Sequence, residues 1–179
     1  MLPLPGRHTT ALISIEETFD VPIDALFDVL TDHEGYGRFR GVKDCVLTQV
    51  GAPDRNGVGA VRRVDLEPLG RLHEEVVTFE RPTLFEYRII RSSPLPIDHR
   101  WGRIELFAEG NKTRALWQSE FTIPIPVLGR FLERAFVRRM SAGFRSLLKS
   151  SARLARAGRE TTAKPSLESS SALEKLTGL

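Results

Sequence analysis

The chain has 179 residues, 41% hydrophobic and 27% charged, the balance of a soluble globular protein with one domain and some extra length. A net charge of +3 is too small to mark a nucleic-acid binder by itself. One cysteine, Cys45, excludes an intrachain disulfide and fits a reducing, cytoplasmic setting, and no apolar run approaches the roughly 20 residues that span a bilayer.

Residues 1–10 read as an arm; MLPLPGRHTT lacks the apolar core of a secretory signal. Ile13, Ile15 and Phe19 share one parity in ALISIEETF, which predicts a strand over 11–19. Pro22 suits the first turn of a helix, and Ile23, Leu26, Phe27 and Leu30 recur at helical spacing after it. Gly35 and Gly37 break that pattern, and Phe39 suggests a second short helix. Strands are predicted over 42–50, 59–67, 71–80, 84–91, 98–108 and 113–123. Pro68-Leu69-Gly70, Arg81-Pro82, Pro94-Leu95-Pro96 and Gly110-Asn111 mark tight connections, so neighbouring strands should be antiparallel. Pro124 and Pro126 end the last strand. A long helix over 127–157 carries an apolar stripe of Leu128, Phe131, Leu132, Ala135, Phe136, Met140, Phe144, Leu147 and Leu148. From 158 to 179 there is little to bury, which predicts a disordered tail, with Ser171 to Glu174 matching a capping box.

The predicted fold class is α+β. A curved, seven-stranded antiparallel sheet wraps the long helix over residues 11–157, and two short helices close one end. A cavity would lie between sheet and helix. Strand parity then sorts the polar residues. With Val64, Phe79, Phe85, Ile104 and Trp117 facing in, the inward polar set is Arg62, His73, Glu75, Tyr87, Asp98, Arg100 and Ser119. Arg63, Glu74, Arg88, Arg103, Glu105, Gln118 and Glu120 would face solvent.

The stretch LHEEVVTF, residues 72–79, poses the sharpest question. Its inward carboxylate, read as Glu75, cannot stay buried and unpaired. Arg62 on the preceding strand is the expected partner. Three roles stay open for Glu75: half of a structural ion pair, recognition of a ligand's polar end, or general acid/base catalysis with His73.

The ordered pieces FDVPIDALFDVLTDHEGYGRF, GVGAVRRV, HEEVVTFERPTLFEYRI, RWGRIEL and TRALWQSEF resemble the SRPBCC superfamily, and within it the polyketide cyclase/dehydrase and lipid-transport branch. The resemblance covers about residues 11–155 and implies the helix-grip fold of START-like domains. It also implies a cavity that binds a small hydrophobic molecule: a lipid, a quinone or a polyketide-like compound. Arg62, Glu75 and Tyr87 would orient its polar end, with His73, Arg100 and Ser119 also among the ligand-binding residues. Ile104, Leu106, Trp117, Phe121, Phe136, Met140 and Phe144 would bury its apolar body. An aromatase/cyclase-type enzyme using the same cavity is the alternative, since a shared fold does not fix chemistry.

A third reading rests on the long helix. Arg130, Arg134, Arg138, Arg139, Arg145, Lys149, Arg153, Arg156 and Arg159 stand there against Glu133, which suits a solvated face, an acidic partner or an anionic membrane surface. No aromatic platform accompanies them, so nucleic acid is not an expected partner. No cofactor or metal is expected. His8, His33, His73 and His99 are scattered, and His73-Glu74 lacks the second histidine of a zinc-protease motif.

Overall fold

The structure is a computed structural model that describes residues 10–125 and 129–163. Its elements in chain order are β1 (Ala11–Phe19), α1 (Ile23–Thr31), a 3-10 turn (Glu34–Arg38), β2 (Val42–Gln49), β3 (Val61–Leu66), β4 (Gly70–Glu80), β5 (Leu84–Pro94), β6 (Asp98–Glu109), β7 (Lys112–Thr122) and α2 (Gly129–Ala163). The strands form one antiparallel sheet in the order β1-β7-β6-β5-β4-β3-β2. Successive hairpins build β2 to β7, and β1 closes the far edge against β7. α2 packs on β1 and β7 and against α1, the arrangement of a helix-grip fold.

α2 is held by side chains spaced about four residues apart. Phe136, Phe144, Leu148, Ala152 and Ala155 are buried along one stripe. Phe144 stacks on Trp117 of β7 with centroids 3.9 Å apart, and Phe136 meets Phe121 edge-on at 4.9 Å. Each such aromatic contributes about 1.5–3 kcal/mol by burial. Glu133 is buried near the start of α2, where its Oε1 accepts the Ile123 N–H at 3.0 Å and ties the helix to the end of β7.

One expectation about the helices changes. α2 runs on to Ala163 rather than stopping at 157. Gly158 costs about 1 kcal/mol relative to alanine, but Ala157, Arg159 and Glu160 are good helix formers on either side. The second short helix is present as a five-residue 3-10 helix that closes with Phe39 N–H on the Tyr36 carbonyl at 3.0 Å. The capping box at Ser171, His8, Leu128 and the side chain of Arg130 lie outside the described residues.

Besides two register shifts in β2, three bulges reset the sheet in β4, β5 and β6. Val76 pairs with Tyr87 and Thr78 with Glu86, so Val77 is an extra residue in β4. In β5, Ile90 is extra between the His73–Arg91 and Glu74–Ile89 pairs. His99 pairs with Phe121 and Trp101 with Glu120, so Arg100 is extra in β6. All three face solvent. Each inserted residue exchanges the two faces for the remainder of its strand.

Candidate ligand cavity

A cavity of about 780 Å³ lies between α2 and the sheet. That is within the roughly 300–1,000 Å³ typical of small-molecule sites. Trp117, Phe121, Phe136, Met140, Phe144 and Leu147 make much of its wall. Arg62, Glu74, Tyr36, Tyr87, His99 and Ser119 are its buried polar residues. Its mouth lies where exposed residues join the lining: Arg40 and Gly41 before β2, Glu67 in the β3–β4 turn, and Arg138, Arg139, Ala142 and Ser146 on α2.

The deep polar cluster is built on Arg62. Its Nε–H donates to Glu74 Oε2 at 2.7 Å, and the side chains are only 4% and 10% exposed. Its Nη1 donates to His33 Nδ1 at 3.1 Å. His33 Nε2–H donates to the Asn56 carbonyl at 3.0 Å. A carbonyl only accepts, so the hydrogen is on Nε2 and the ring is neutral. Burial and the Arg62 charge push the His33 pKa down to about 3. Burial, the largest single influence, would lower the pKa of Arg62, but the Glu74 carboxylate together with Tyr36 and Cys45 outweighs it, and the guanidinium stays charged. The guanidinium also lies over the Tyr36 ring, 4.4 Å from its centroid. Tyr36 is fixed in turn by its hydroxyl, which donates to the Leu30 carbonyl at 2.7 Å. The cluster therefore carries one positive and one negative charge, mutually neutralised.

A second polar group lies across β5, β6 and β7. The Tyr87 ring stacks between Phe85 and His99, at 5.8 and 5.5 Å. It crosses Gly102, where a Cβ would sit 2.3 Å from its Cζ, so only glycine fits. The Tyr87 hydroxyl accepts from Trp117 Nε1–H at 3.1 Å. His99 Nδ1 accepts the Ile89 N–H at 2.9 Å, so its Nε2–H donates to Ser119 Oγ at 3.0 Å. Burial lowers the His99 pKa to about 4 and raises that of Tyr87. Both hydroxyls thus accept from fixed donors and keep their own hydrogen to offer a ligand oxygen.

The structure brings Arg62, Tyr87, Trp117, Ser119, Phe121, Phe136, Met140 and Phe144 together on the cavity wall. It places the other expected residues elsewhere. Glu75 faces outward and pairs with Arg88 at 3.1 Å; Glu74, expected outside, is the partner of Arg62. His73 shares the outer face with Glu75. The reason is Val77: parity counted back from Phe79 fails across the bulge. Arg100 is itself an extra residue, exposed and paired with Glu120 at 3.1 Å, and Asp98 is exposed, so His99 faces in instead. Ile104 and Leu106 are packed in the main core and off the cavity wall.

Sequence reasoning missed Glu74, His33, His99, Tyr36 and Arg40, and read Arg138 and Arg139 as part of a basic helix face and not of a cavity mouth. One signal was available for Glu74. The tight turn closes on Leu66 and Gly70, and counting pairs outward from it sets Arg62 opposite Glu74. Much of the basic face of α2 is spent internally. Arg145 and Lys149 reach Glu17 at 2.8 and 3.8 Å, and Arg156 lies 3.8 Å from Asp20. Among the described residues, no group of three His, Cys, Asp or Glu side chains could hold a metal ion.

Comparison with known proteins agrees with this architecture. The structure is similar to an aromatase/cyclase, Zhui, from Streptomyces sp. R1128, with a TM-score of 0.70 at 19% identity over 84% of this chain and 98% of that one. It is also similar to a protein of Thermus thermophilus (TM-score 0.67, 18% identity, 82% and 98% covered). A START superfamily protein from Mycobacterium smegmatis is a third (0.61, 14%, 83% and 98%). At these identities the likeness shows the fold. No curated protein is detectably similar in sequence. The family model described as polyketide cyclase / dehydrase and lipid transport matches residues 10–156, nearly the whole described chain, and the protein belongs to that family.

Proposed function

We propose that the protein binds a small, largely apolar molecule, such as a lipid, quinone or polyketide-like compound, in the cavity between α2 and the sheet. The observation that carries this is the composition of the wall. An aromatic and aliphatic surface of ligand size is interrupted by two hydroxyl donors, Tyr87 and Ser119, whose acceptor sides are already engaged. Such a site buries a hydrocarbon body and orients one carbonyl or hydroxyl oxygen. Native mass spectrometry of the purified protein, followed by titration with dodecanol and a naphthoquinone, tests the reading. A copurified apolar compound or saturable binding supports it. An empty protein that binds neither probe defeats it.

An aromatase/cyclase-type enzyme is the second reading, favoured by the aimed Tyr87 and Ser119 hydroxyls. General base catalysis works best with a group poised near neutral pH. His33 and His99 are neutral with pKa values of about 3 and 4, each with both nitrogens engaged, and Glu74 is neutralised by Arg62. These facts favour binding over turnover. Conversion of a poly-β-ketone, lost in a folded Tyr87→Phe protein and kept in Glu75→Gln, would reverse that preference. A cytoplasmic location fits the single thiol, Cys45, whose burial pushes its pKa up to about 11 and makes it unreactive.

A further inference from the structure

We infer that the mouth of the cavity is an anion site, and that the ligand is an anionic amphiphile: apolar body inside, carboxylate or phosphate held by Arg40, Arg138 and Arg139. This rests on the cavity reading above and adds the class of ligand.

The argument starts from how this protein treats its arginines. Most of those described are paired with a carboxylate, as Arg63 is with Asp44, Arg81 with Asp28 and Arg103 with Glu86. At the mouth this fails. Arg40 and Arg138 have no carboxylate partner among the described residues, and Arg139 reaches only the Glu67 backbone carbonyl, at 3.3 Å. The one carboxylate of the rim, Glu67, is drawn 3.9 Å from Lys43. Arg138 also stands one helical turn from Arg134, a spacing at which like charges repel. Positive charge is thus concentrated at the entrance without internal compensation.

The deep end is the opposite case. Arg62 is matched by Glu74 and bordered by neutral His33, so it offers an incoming anion no net attraction. An anion driven to that depth would also lose its hydration. At the mouth the same group stays wet while two or three guanidinium forks donate charge-assisted hydrogen bonds. A ligand with its apolar part against Trp117 and Phe144 and its charge at Arg138 satisfies both ends at once.

The test compares laurate, dodecyl phosphate and dodecanol by calorimetric titration at low and high salt. The full chain is compared with Arg40→Gln/Arg138→Gln/Arg139→Gln and with Arg91→Gln, an exposed arginine away from the mouth. Expected is an affinity at least about tenfold higher for the anions than for the alcohol, shrinking in high salt. The ratio should fall to about one in the triple variant and persist in Arg91→Gln. Free phosphate and acetate should bind far more weakly than the amphiphiles. Dodecanol binding with a ratio near one in the unaltered protein refutes the anion site and leaves the cavity reading standing. A preference that survives the triple substitution refutes it equally, placing the anion elsewhere. Failure of all three amphiphiles overturns the cavity reading itself.

Discussion

Replacing Glu74 by glutamine should destabilise the protein severely, whereas the same change at Glu75 should barely register. Glu74 is the counter-charge of an arginine that is 4% exposed, with a 2.7 Å hydrogen bond between them. Removing one partner of such a pair strands a buried charge and costs about 3–5 kcal/mol. For a domain of this size each kcal/mol is worth about 2–4 °C, so the midpoint should fall by roughly 6–20 °C. Glu75 is 33% exposed and its partner Arg88 is 54% exposed, a setting worth about 0–1 kcal/mol. Urea unfolding followed by circular dichroism reads both variants. Arg62→Met/Glu74→Leu should be less destabilised than the two single changes added together, because it removes both charges. It should not fully recover, since His33 Nδ1 loses its donor, at about 1–3 kcal/mol. A Glu74→Gln protein within about 1 kcal/mol of the parent, or a Glu75→Gln protein as damaged as Glu74→Gln, would refute the assignment.

Two further predictions concern the same interior. His33 and His99 are held neutral, with pKa values of about 3 and 4 against 6.5 when unfolded, so below pH 6.5 the unfolded chain binds more protons than the native one. Their stabilising contribution is full above pH 6.5 and is lost as pH falls toward those native values. The slope is about 1.4 kcal/mol per pH unit each, so near pH 5 the loss is roughly 4 kcal/mol in all. Unfolding midpoints at pH 7.5, 6 and 5 measure it; His99→Gln should halve the slope, and a flat profile would contradict the buried neutral rings. Gly102→Ala should cost about 1–3 kcal/mol by forcing Tyr87 off its stack between Phe85 and His99. Thermal melts test this, and a neutral outcome would mean that the ring is free to move.

The fold was legible because it rests on periodicities that local sequence expresses: alternation in β1 and β7, the four-residue spacing of the α2 stripe, and glycine or proline at most turns. The cavity wall was legible where a strand runs without interruption, hence Trp117, Ser119 and Phe121 on β7. It was illegible beyond a bulge. Nothing in LHEEVVTF announces that Val77 is extra, because the bulge depends on how β5 pairs with it. His33 is hidden for another reason. It follows α1, where no strand parity applies, and it reaches Arg62 only once the helix has docked. The unpaired arginines of the mouth stand out only after most of the others have found their carboxylates.

The bulges bear on how residues may be carried from one protein to another. At 14–19% identity, a relative with one residue fewer in β4 would keep the position after its histidine inside and the next one outside, but one place nearer in sequence to the residue that matches Phe79. An ungapped alignment would then match a cavity carboxylate to a surface one without any sign of error. Val77 and Arg100 act as frame markers: site residues transfer between relatives only when these insertions are matched first. Deleting Val77 would, by the same logic, leave Glu74 on Arg62 and Glu75 outside, and would restore unbroken alternation back from Phe79.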